Sequence, residues 1–149
     1  MKVLRNVVAP IIGVLVYVVA LFIGIRFVDF ISGWELNEIT YQIQRSSFNP
    51  YMYVIGCAVL RTIVLDVSIV ASSWVSAPTQ SGFKPGAFAF ALIAFCFSAF
   101  ALVNIITSLI ENVTFEYIVY LIEELIKAAL SACYAIWGLK DGSYFLLWN

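Results

Sequence analysis

Apolar and polar positions along this chain are grouped in blocks far longer than a helical turn. Four stretches, about 7–31, 51–75, 87–110 and 117–139, are almost wholly apolar, and short polar segments separate them. A helix that crosses a bilayer needs about 20 predominantly apolar residues, so each stretch predicts a membrane-spanning α-helix. The expected fold is all-α: a polytopic integral membrane protein, its four transmembrane helices gathered in one bundle. No internal repeat, low-complexity tract or second domain breaks residues 1–149.

The boundaries carry signals of their own. Asn49 and Pro50 precede the second stretch; Asn suits a helix N-cap and Pro the first helical position. "APTQSGFKPG" before the third is rich in helix breakers and reads as a loop. Gly138 predicts the end of the fourth helix. The connection at 32–50 is too polar to span. Leu36, Ile39 and Ile43 form a helical stripe there, while Ile39, Tyr41 and Ile43 alternate like a strand, so periodicity does not choose. The tail "SYFLLWN" is expected at the membrane interface. The first apolar run follows a basic start, as in a secretion signal. It is too long for such a signal's core and no small-residue cleavage site follows, so it is read as a retained helix.

Composition strengthens the membrane reading. Hydrophobic residues make up 63% of the 149 and charged residues only 11%. Soluble domains are about 45–50% apolar and about 25% charged, and a chain this short has little interior in which to hide the excess. The net charge of −1 offers no broad basic field for nucleic acid. Histidine is absent, which removes His-ligated metals and His-based catalysis. Cys57, Cys96 and Cys133 lie in three separate apolar runs without a C-x-x-C pair, and read as small buried apolar residues. No cofactor or metal site is expected. Nor is there a phosphate-binding glycine loop or a nucleophile with a base, so an enzyme is the less favoured class.

Charge along the loops predicts orientation. Four spans place both termini and the 76–86 loop on one side, with Lys2, Arg5, Lys84 and Lys140. The other side has Arg45, with Arg26 near its border. Lys and Arg mark cytoplasmic flanks, so a multi-pass protein with both termini cytoplasmic and an extracytoplasmic 32–50 connection is expected. Trp34, Trp74 and Trp137 then fall at the membrane borders. "NVT" at 112–114 matches the glycosylation pattern on the outer side, in a very short connection.

With Asp29, near the outer end of the first span, read as a flanking acid of the outer side, six charged residues fall inside the predicted spans: Arg26, Arg61, Asp66, Glu123, Glu124 and Lys127. Each charge at the bilayer centre costs at least about 2.5–3.5 kcal/mol, so the set demands pairing or water. Arg26 is close enough to a border to reach it; Arg61 and Lys127 are not. On a helix Glu123, Glu124 and Lys127 share an arc of about 100° with Tyr120, Ser131 and Tyr134, making a polar stripe along the fourth span. One carboxylate can neutralise Lys127, and the other calls for a cation from another helix or a proton. Depth sets Arg61 level with Lys127, and Arg26 and Asn104 near Glu123 and Glu124. Arg61 and Asp66, about 140° apart around their helix, are expected to face different neighbours.

Small residues predict close helix contacts. Ala87, Ala91, Ala94, Ser98 and Ala101 share an arc of about 80° on the third span, and Gly13, Ala20 and Gly24 mark the first. Together these features predict a non-catalytic small subunit of a larger membrane complex, or a homo-oligomer, assembled through small-residue faces and intramembrane charge pairs. Its partners would be membrane lipids and other membrane subunits or further copies of itself, and not nucleic acid. The alternatives are a small oligomeric transporter or channel with a polar path along helix four, and a lipid- or quinone-binding enzyme subunit.

Overall fold

The computed structural model describes residues 2–32, 50–76 and 85–140. They form four α-helices: α1 (Lys2–Ser32), α2 (Pro50–Ser76), α3 (Pro85–Glu111) and α4 (Phe115–Lys140). Each covers one predicted stretch and extends slightly beyond it. α1, α2 and α3 are long and apolar enough to cross a membrane, over Val3–Phe30, Tyr51–Ser76 and Pro85–Glu111. That is the pattern of a multi-pass membrane protein. α4 has 26 residues, but Glu123, Glu124 and Lys127 crowd its middle.

Local chemistry sets the helix ends. Proline opens both α2 and α3, where its missing N–H costs nothing. α3 and α4 are joined by residues 112–114 alone. Thr114 caps α4: its Oγ1 accepts from the Tyr117 N–H at 3.4 Å, and its carbonyl accepts from Ile118 N–H at 3.2 Å. Glu116 adds an acid in the first turn, favourable toward the helix dipole. Gly138 does not end α4, which runs on to Lys140. One interior glycine costs a helix only about 1 kcal/mol, too little to stop it alone.

α1 lies along α2, and α3 along α4. α2 also meets α3 and α4, and α1 meets α3, whereas the backbones of α1 and α4 stay apart. The core is Leu65 and Ile69 of α2, Ala87, Phe90, Ala91 and Ala94 of α3, and Tyr134 of α4. Three helices come closest near the Lys2 end of α1. A Cβ on Gly86 would lie 2.4 Å from Ala9 Cβ and 2.9 Å from Ser76 Cβ; one on Gly13 would lie 2.1 Å from Ser72 Oγ. Ser72 Oγ donates to the Ala9 carbonyl at 3.1 Å, a side chain-to-backbone bond between α1 and α2. The outside is apolar: Phe22, Phe30, Phe97, Phe100 and Ile110 are all exposed. Such a surface suits lipid as solvent. The expected burial of the cysteines is corrected for two of the three: Cys57 is buried, but Cys96 and Cys133 are exposed on outward faces of their helices.

The 32–50 connection between its end residues, with Trp34 and Arg45, lies outside the described residues. So do 77–84 with Lys84, the tail 141–149, and the side chains of Trp137 and Lys140.

Candidate functional site

The polar stripe of α4 turns inward. Glu123 is 4% and Lys127 7% exposed, Ser131 and Tyr134 are buried, and Tyr120 and Glu124 half-buried. Arg61 of α2 reaches Glu123 with both arms of its fork: Nε to Oε1 at 2.7 Å and Nη2 to Oε2 at 2.8 Å. Lys127 Nζ bonds Glu124 Oε1 at 2.6 Å and Glu123 Oε1 at 3.0 Å. Glu123 Oε1 is therefore shared by two cations. Two positive and two negative charges close into one neutral cluster that ties α2 to α4. The Arg61 guanidinium also lies 5.7 Å from the Tyr120 ring centroid. Bidentate Arg–carboxylate geometry is the arrangement best able to offset desolvation in a dry interior.

The other two candidate charges stand apart. Asp66 accepts a hydrogen bond from the Tyr134 hydroxyl, again joining α2 to α4. The expectation that Arg61 and Asp66 face different neighbours is thus corrected. The long arginine and the tyrosine both reach around a shared helix contact, which an angular count on a bare axis ignores. Arg26 is exposed, stacked 5.5 Å from the Phe22 ring centroid, and forms no ion pair among the described residues. It was expected near Glu123 in depth, but the backbones of α1 and α4 do not come together.

Ala87, Ala91, Ala94 and Ser98 are buried within the chain and Ala101 is half-buried. Both devices expected to join one chain to another, small faces and charge pairs, are used here between helices of the same chain. Sequence reasoning missed two further contacts. Asp29 is buried between α1 and α2, where the Tyr53 hydroxyl donates to it beside Cys57 and Val28. Its position inside the first apolar run was the available signal. Ser68, Ser72 and Ser76 are all buried, and their four-residue spacing on α2 was legible as an inward stripe.

A groove of about 480 Å³ opens beside the cluster, with walls from all four helices. Tyr17, Leu65, Phe97, Asn104, Glu124 and Lys127 are among its lining residues. A second, of about 480 Å³, runs between α2 and α4 past Ile63, Ile122 and Glu123. Among the described residues no group of three or more His, Cys, Asp or Glu side chains could hold a metal ion. The cluster can bind helices together and hold a polar group at its edge. Comparison with family models, with curated proteins and with solved structures finds no match to this chain.

Proposed function

We propose that this chain is a four-span membrane protein with both termini cytoplasmic, serving as a non-catalytic subunit of a larger membrane complex or of a homo-oligomer. The observation that carries this reading is the neutral charge cluster. Arg61, Glu123, Glu124 and Lys127 satisfy one another, which lets α4 sit in lipid beside the three apolar helices and makes the charges a structural staple. Exposed Arg26 supplies the contact to others: it has no carboxylate within the described chain, and a membrane partner can provide one. Gentle extraction followed by mass spectrometry of co-purifying chains tests it. A stable partner or a defined homo-oligomer is expected; a lone monomer overturns the subunit reading.

One observation favours a polar path along α4 instead. Ser131 Oγ is fully buried without a hydrogen-bond partner among the described residues, on the stripe between Lys127 and Tyr134. Its hydroxyl has donor and acceptor capacity to spare for a water or a passing proton. Yield and proton or ion flux in liposomes, measured for the parent chain and for Glu124→Gln, separate the two. No flux in the parent supports the staple. Flux lost in a well-folded Glu124→Gln variant defeats it.

A further inference from the structure

The groove at Lys127 has a property that neither a staple nor an interface requires. Its walls are mostly apolar, from Phe90, Ile93, Phe97 and Phe100, yet one side carries hydrogen-bonding groups halfway along the helices. Lys127 follows Phe115 by twelve residues, about 18 Å along a 26-residue helix. An ammonium has three donors. Two of them are directed to Glu123 Oε1 and Glu124 Oε1. The third N–H, the Asn104 amide and the Ser98 hydroxyl remain at the groove. Glu124 uses Oε1 for Lys127, which leaves Oε2 to accept.

We infer that this groove binds an uncharged lipid whose head is a small hydroxyl or carbonyl group, with that oxygen accepting from Lys127 and Asn104 at mid-bilayer depth and a hydroxyl head donating also to Glu124. Two observations select this chemistry. The first is depth. The hydrocarbon core is about 30 Å thick, so a phospholipid head lies about 15 Å from its centre and does not reach this site with its tails in the membrane. The second is charge. The cluster already sums to zero, so a charged head would find no net counter-charge there and would carry its full desolvation cost. An uncharged oxygen head meets neither obstacle, and its chain has phenylalanine and isoleucine walls to lie against. The volume of about 480 Å³ falls within the range of about 300–1,000 Å³ usual for small-ligand sites. α1 and α3 close tightly at Gly13 and Gly86, and the groove takes in Val14 and Tyr17 just beyond, so the lipid enters sideways from the bilayer. Isoprenoid quinones, long-chain alcohols and diacylglycerols share the required chemistry.

The inference goes beyond the subunit reading and rests on one part of it, that α4 crosses the membrane beside the other three helices. The full chain in maltoside micelles is titrated with decylubiquinone, farnesol or dioctanoylglycerol and followed by native mass spectrometry, with phosphatidylglycerol as competitor. At least one uncharged probe should bind saturably at one per chain, and the probe that binds identifies the source. Phosphatidylglycerol should not displace it. Ala101→Phe, which fills the groove, and Asn104→Leu, which removes an exposed head contact, should each weaken binding by about tenfold. Asn104 is exposed, so its variant remains decisive if Ala101→Phe does not fold. Absence of saturable binding, displacement by phosphatidylglycerol, or unchanged binding by the folded variants overturns the inference.

Discussion

Lys127→Met is the sharpest perturbation of the charge cluster. Lys127 is the cation within reach of Glu124, at 2.6 Å, and its side chain is 9% exposed, so water screens little of the loss. The variant leaves Glu124 without its cation, while Arg61 still holds Glu123 with two bonds. Removing one member of a buried pair costs about 3–5 kcal/mol. For a chain of this size about 1 kcal/mol shifts Tm by about 2–4 °C, so Lys127→Met should melt about 6–20 °C lower. Adding Glu124→Gln removes the stranded acid and leaves a balanced Arg61–Glu123 pair. The double variant should therefore regain most of the loss, with a coupling of about 2 kcal/mol or more. Adding Glu123→Gln as a third change strands Arg61 and should lower Tm again. The assay is thermal unfolding of the detergent-solubilised chain by size-exclusion with fluorescence detection. A double variant that melts no higher than Lys127→Met refutes the pairing.

Gly86→Ala should destabilise by about 1–3 kcal/mol, because neither Ala9 Cβ nor Ser76 Cβ can rotate away from the new methyl. Gly56→Ala, with open space around its Cβ, should keep or raise Tm in the same assay. Tyr134→Phe should cost about 1–3 kcal/mol by leaving Asp66 without its donor, and Asp66→Leu added to it should recover part of that loss. Reporter fusions at residue 149 and within 77–84 should report cytoplasmic and one within 40–47 extracytoplasmic; the reverse pattern refutes the orientation.

The helices were legible because a twenty-residue apolar block is a strong and local signal, set by bilayer thickness. Their neighbours were less so. Residue spacing gives depth and an angle on one helix, but the rotation of each helix toward the others depends on packing that spacing does not encode. That is why Arg61 and the acids of α4 were placed at similar depths, while Arg26, expected at a depth just as suitable, proved to lie on a helix whose backbone stays apart from α4. Gly13 and Gly24 were found because close approach requires a missing side chain, and both face another helix, at Ser72 and Leu60. Asp29 was read as a flanking acid because its burial depends on Tyr53, whose reach across to α1 is a property of the assembled pair.

The Arg61–Glu123 bridge spans 62 positions of sequence, and this imposes an order on biosynthesis. Arg61 leaves the ribosome first. At synthesis rates of about 5–20 residues per second, its carboxylate follows about 3–12 s later. During that interval α2 carries a guanidinium whose native counter-ion does not yet exist, while α4 later brings two acids and one ammonium to the cluster. Neither helix is electrically complete alone. A nascent chain halted after α3 would hold three helices and an Arg61 without its carboxylate, a costly group to leave among lipid tails. The arrival of α4 removes that cost.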